Sequence, residues 1–274
     1  MRSLVLALGV ALGLFAFTHT ADARPRRAKK TVATKSHKAS LHKRDKPSQR
    51  NAKRHGRIAV TAHTHRHIEI RGPIAGQSIG APWQGRLREP IRLAENDAWV
   101  IRRPWRSFGT HTTVEYVEHV LADIAYRFPG IHPIAIGDIS AEHGGKITQH
   151  SSHQSGRDID IGLIFTHAPA GYPASFVRGT AENLDLEATF VLVEEFAKTT
   201  EQSGGAQMIF LDFDVQGLLY QWALENGETE ESLAHLFQFP HGRGSSAGIV
   251  RHEPYHTDHI HVRFRCQRGD TSCR

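Results

Sequence analysis

Two short windows, about a hundred residues apart, restrict this chain more than anything else in it. The first, residues 150–161, runs His150-Ser151-Ser152-His153-Gln154-Ser155-Gly156-Arg157-Asp158-Ile159-Asp160-Ile161. The second, residues 255–264, runs Tyr255-His256-Thr257-Asp258-His259-Ile260-His261-Val262-Arg263-Phe264. Together they hold five histidines and three aspartates, and both run into apolar, β-branched residues of the kind that build strands. Alternate side chains of a strand share a face, so His259 and His261 point into one space while Ile260 and Val262 point the other way, toward a core. Gly156 lets the chain turn back, so that His153 before the turn and Asp160 after it converge on one point. The fold therefore has to bring a loop-and-strand and a second strand side by side.

That combination is a compact zinc constellation, because a catalytic zinc takes three protein ligands from His, Asp, Glu or Cys and keeps a fourth position for water. Two assignments stay open on spacing alone. Asp160 is a ligand, or it orients a histidine ligand while Asp158 binds the metal; only one of the two is expected to reach the ion. Asp258 is expected on the strand face opposite the histidines. Zinc-type cysteine pairs are absent, since the chain has only Cys266 and Cys273, with six residues between them. In an exported chain those two can make one disulfide closing a small loop.

Export is expected from the first residues. Met1-Arg2-Ser3 is followed by an apolar run from Leu4 to Phe17 and by Ala21-Asp22-Ala23, a secretory signal peptide with cleavage after Ala23. No later stretch is apolar for long enough to span a bilayer, so no transmembrane segment is expected after cleavage. Residues 24–57 carry 14 Lys/Arg and one acid, Asp45, which reads as a basic, disordered tail ending near residue 70. From residue 58 onward there are 19 Lys/Arg against 26 Asp/Glu, so the basic pI belongs to the tail alone. On an exported protein such a tail suits anionic wall polymer or lipid headgroups, and no nucleic acid is expected as a partner. His63, His65 and His67 fall in a histidine-rich stretch and are read as compositional bias.

The remaining residues, 71–274, suffice for one domain. Residues 72–92, rich in Gly, Pro and Arg, read as an irregular wrapping segment. Trp99–Arg102 is a strand candidate stopped by Pro104. Thr112-x-x-Glu115 looks like a capping box, opening a helix with Val117, Val120, Leu121, Ile124 and Ala125 at helical spacing. Strands follow at 131–136, 158–165 and 208–211, and the last is 260–264. Helices are expected after Asn183 or Asp185 and over Val215–Ala223, and a polar loop with Gly242 and Gly244 precedes the last strand. Few strands and few helices, not strictly alternating, indicate an α+β fold: a small antiparallel sheet with flanking helices and long loops.

The pattern Ser151-x-His153-x-x-Gly156-x-Asp158-x-Asp160 with His259-x-His261 resembles the signature of the LAS metallopeptidases. It is most similar to their penicillin-insensitive murein endopeptidase branch, which has a histidine three residues before the first ligand and another five before the last, as His150 and His256 stand here. Gly137-Asp138-Ile139-Ser140 and Val262–Cys266 also look like that branch. The resemblance spans about residues 76–274. It implies zinc ligands His153, Asp160 and His261, one ion per chain, a catalytic His259, and His150 and His256 lining the same pocket. It further implies a periplasmic enzyme that hydrolyses the D-alanyl-diaminopimelate cross-links of peptidoglycan. The alternatives are a D,D- or L,D-carboxypeptidase of stem peptides and a non-catalytic, zinc-stabilised wall-binding module. The small cysteine count and the basic tail depart from the branch.

Overall fold

The computed structural model describes residues 75–274, so the expected signal peptide, the expected basic tail and the first residues of the expected domain lie outside the described residues. The described part starts with a hairpin, β1 (Gln77–Ala81) and β2 (Gln84–Arg88), where an irregular segment was expected. Ala81 pairs with Gln84, so Pro82 and Trp83 alone make the turn, with Gly80 at φ +75° beside it. The Gly and Pro residues that read as breakers are the chemistry of a two-residue hairpin loop.

After the short β3 (Ile91–Arg92) and β4 (Trp99–Ile101) come β5 (Phe108–Gly109), which pairs with β3, and helix α1 (His111–Arg127). Its cap is Thr110, whose hydroxyl accepts from the Thr113 amide; Thr112 lies inside the helix, so the capping box expected there does not form. Then follow β6 (Ile134–Ile136) and β7 (Asp158–Gly162). Helix α2 (Leu186–Lys198) is capped by Asp185, which settles the choice left open with Asn183. Next are β8 (Ala206–Phe210), α3 (Phe213–Glu225), α4 (Glu230–Leu236), β9 (Val250–Arg251) and β10 (His259–Phe264).

Six strands form one sheet in the order β4-β6-β7-β10-β8-β9. Its middle is antiparallel, as expected of this α+β fold, but both edges are parallel pairs, β4 with β6 and β8 with β9. Parallel neighbours need a crossover, and α1 supplies one while α3 and α4 supply the other. No helix among the described residues is long and apolar enough to cross a membrane.

Parity splits the centre of the sheet. Ile159, Ile161, Ile260, Val262 and Phe264 are fully buried on one face, where Tyr116 of α1 and Phe196 of α2 pack on the Phe264 ring. The other face carries Asp158 and Asp160 on β7 and His259, His261 and Arg263 on β10. The register sets His261 opposite Asp160 and Arg263 opposite Asp158. The helices thus cover the apolar face and leave the polar row facing a cleft.

Candidate metal centre

His153 precedes β7 in a loop held at several points. Its backbone has φ +62°, an uncommon conformation for a side chain of its size, and its amide donates to the Asp158 carboxylate at 2.9 Å. The hairpin turn supports the same loop, because the Gln154 amide donates to the Pro82 carbonyl. Gly144, at φ +66°, lets the neighbouring loop pass: a Cβ there would stand 2.3 Å from the Gln154 carbonyl oxygen.

The imidazoles are oriented from behind. His153 Nδ1 faces the Ile139 carbonyl at 3.1 Å and must donate to it, which leaves the Nε2 lone pair pointing into the cleft. His261 Nε2 faces Asp158 Oδ1 at 3.1 Å and donates to that carboxylate, which leaves the Nδ1 lone pair. These two lone pairs stand 3.2 Å apart. Asp160 Oδ1 lies 3.3 Å from His153 Nε2 and 3.1 Å from His261 Nδ1. With both imidazoles neutral in these tautomers, three acceptors converge with no donor among them, and buried Asp160 Oδ1 has no hydrogen-bond partner.

Such a triad is repulsive unless a cation lies between its members. Tetrahedral zinc with bonds of about 2.0–2.1 Å sets its ligand atoms about 3.3 Å apart, so the three donors fit zinc in spacing and in type. His150 stands at the side of the group: an atom of His150, one of His153 and one of Asp160 all lie within 4.8 Å of one another. Its ring is 4.2 Å from that of His153, but its Nε2 is engaged with Asp138 Oδ2 at 2.9 Å. The residues that could hold a metal are thus His153, Asp160, His261 and, more loosely, His150.

Electrostatics agree with a cation. Burial opposes the charges of Asp158 and Asp160, but the surrounding histidines, with Arg263 beside Asp158, outweigh it and hold both carboxyls well below the usual range. Burial likewise opposes a proton on His261, yet the two aspartates push its imidazole up to about 9. The same field that binds a proton there attracts a metal ion. His256 goes the other way, pushed down to about 4 by burial and then by His259 and His261, so it is neutral at pH 7.

Two expectations need correcting. Asp158 and Asp160 are two residues apart and share a strand face, so both carboxylates turn toward the histidines; Asp158 reaches them from behind His261. Asp258 precedes β10, where strand alternation does not apply, and its Oδ1 lies 2.6 Å from His259 Nδ1. That contact turns His259 Nε2 toward the cleft, 3.7 Å from Asp160 Oδ1. The His256 ring lies 4.7 Å from that of His259, tilted by 39°, and Phe176 stacks on His259 at 4.9 Å, nearly parallel.

Sequence reasoning did not single out Phe176, Arg102, Trp83, Phe210 or Arg263. Arg102 sits 4.1 Å over the Phe176 ring, and Gly137 makes room for that ring, since a Cβ there would lie 2.8 Å from Phe176 Cζ and 2.9 Å from Asp160 Cβ. A glycine directly after the strand 134–136 is the only signal that could have suggested such an approach. Asp138, fully buried, pairs with Arg103 at 2.6 Å and Arg106 at 2.8 Å as well as with His150. The cleft, about 470 Å³, is lined by His150, His153, Asp160, His256, His259 and His261, with Trp83, Phe210 and Arg263 on one side.

Residues 78–209 match the model of a peptidase family described as penicillin-insensitive murein endopeptidase. Relatives carrying that name share 25% identity over 219 residues in Pectobacterium atrosepticum, covering 75% of this chain and 71% of the relative. One in Klebsiella pneumoniae shares 26% over 221 residues, covering 75% and 73%. One in Yersinia enterocolitica shares 34% over a shorter stretch of 100 residues, covering 35% and 36%. With the loop and strand of His153 and Asp160 inside the matched region, and relatives of one description aligned over three quarters of its length, the chain is similar to the penicillin-insensitive murein endopeptidases.

Proposed function

We propose that the protein is an exported, zinc-dependent endopeptidase that hydrolyses the D-alanyl-diaminopimelate cross-links of peptidoglycan. One zinc ion per chain would be held by His153, Asp160 and His261. The observation that carries this reading is the convergence of three acceptor atoms, 3.1–3.3 Å apart, around a buried carboxylate oxygen without a partner. Bound there, zinc supplies Lewis-acid polarisation of the peptide carbonyl and activation of water. The relatives' shared name supports murein as the substrate, and a wall substrate in turn supports export.

The remaining work falls to the protein. Asp258 fixes the His259 tautomer with Nδ1–H bonded to its carboxylate, so Nε2 is the atom available to the cleft. His259 accepts a proton from the attacking water and returns it to the leaving amine nitrogen. Packing against Phe176 and His256 keeps the His259 ring from rotating away. His150 and neutral His256 line the approach, and His150 is held in place by Asp138.

Purified cross-linked muropeptide dimers, incubated with the zinc-loaded protein and read by mass spectrometry, test this. Dimers should become monomers, chelator should abolish the conversion, and His259→Ala should cut kcat at least about 100-fold while zinc content stays at one per chain. Removal of a terminal D-alanine alone, or one bound zinc without turnover, would replace the proposal with a carboxypeptidase or a binding module.

A further inference from the structure

Arg263 belongs to the polar row of β10 but has no part in the chemistry above. It follows His261 by two residues and so shares its face, about 6.8 Å further along the strand. Its Nε donates to Asp158 Oδ1 at 2.7 Å. Among the described residues, Nη1 and Nη2 have no hydrogen-bond partner, and the side chain lines the cleft. The guanidinium sits between two aromatic rings, 5.8 Å from the Trp83 centroid and 5.5 Å from that of Phe210. Trp83 itself is 60% exposed at the hairpin tip, an unusual exposure for a tryptophan that serves only packing.

We propose that Arg263, framed by Trp83 and Phe210, binds a carboxylate of the substrate: the one on the carbon attached to the scissile nitrogen. The assignment rests on the endopeptidase reading. An arginine needed only to brace Asp158 would use Nε and could bury the rest; here the two-pronged end is left toward the cleft. Aromatic neighbours confine the guanidinium plane and reduce its hydration, and its parallel N–H groups match a carboxylate in a two-bond contact that lysine cannot make. In a D-alanyl-diaminopimelate link, the carbon next to the scissile nitrogen carries a carboxylate, a few bonds from the carbonyl under attack. A substrate with that carbonyl at the histidine cluster places this carboxylate on the Arg263 side, and the leaving-group half of the peptide lies along β10 toward Trp83. Recognition of this charge selects the diaminopimelate half of the cross-link.

The test compares dimeric muropeptides in which that carboxylate is free or amidated, using the zinc-loaded full chain. Wild type should show at least a tenfold lower KM for the free acid at similar kcat. Arg263→Lys and Arg263→Gln should abolish the discrimination, each variant giving one KM for the free and the amidated substrate when assayed at saturating zinc. Equal KM values for the two substrates with wild type would overturn the proposal. So would variants that keep the discrimination, or that lose activity equally on both, which is the signature of a role through Asp158 alone. If wild type cleaves neither dimer, the endopeptidase reading fails, and calorimetry with a diaminopimelate-ended stem tripeptide, free or amidated, decides Arg263 separately: a tenfold difference in Kd supports it and equal Kd values overturn it.

Discussion

At the scale of single residues, the centre depends on which nitrogen of each histidine is left without a proton. The Ile139 carbonyl and the Asp158 carboxylate make that choice for His153 and His261. Asp158→Asn keeps the shape but weakens the acceptor behind His261, and zinc affinity measured by competition with a chelating dye should fall about 10–100-fold. Alternation along a strand was enough to see that His259 and His261 share a face. The role of Asp258 was not legible, because it depends on a side chain turning just before the strand begins and not on the period of the strand. Phe176 was hidden for a different reason: it comes from a long loop, and only the tertiary fold lays it on His259.

At the scale of elements, the strands and helices rich in apolar residues were readable, and those built on backbone geometry were not. Helix α1 announces itself through Val117, Val120, Leu121 and Ile124, all buried at helical spacing. The β1–β2 hairpin buries little beyond Ser78 and Leu87, so it has almost no periodic signal, and α4, with Leu233 and Leu236 alone buried, is too short to show one. Yet the hairpin matters for the site, since its turn supports the His153 loop while Gly144 and Gly145 fit against β2 and Gln154. Gly144→Ala would force a Cβ against the Gln154 carbonyl in a left-handed backbone conformation. Urea unfolding should show a loss of about 1–3 kcal/mol, accompanied by weaker zinc binding.

At the scale of the described residues as a whole, the last residues pack onto the β1–β2 hairpin. Buried Arg157 donates to Ser78 Oγ, the Phe264 carbonyl and an Arg274 oxygen. Gly80 exchanges backbone bonds with Ser272 and Arg274, and the Cys266–Cys273 disulfide gathers the segment that does so. Support therefore runs from the C-terminus through the hairpin to the His153 loop. The helix layer behind the sheet has its own signature in alkaline solution. Burial, with Glu115 adding to it, pushes the Tyr116 hydroxyl up to about 12. Between the unfolded value of about 10 and that value, the unfolded chain loses this proton and the folded one keeps it, so stability falls as pH rises through the window. Tyr116→Phe should flatten that part of the stability-versus-pH curve in thermal unfolding.

The proposed function rests on one cation held between His153, Asp160 and His261 and supporting cleavage of a wall cross-link. The most direct measurement is a titration of metal-free protein with zinc, following conversion of muropeptide dimers to monomers. The rate should rise linearly and level off at one zinc per chain, with Asp160→Asn showing no rise at the same concentrations. Full activity of the metal-free protein in the presence of chelator, or no cleavage at one equivalent, would contradict the account.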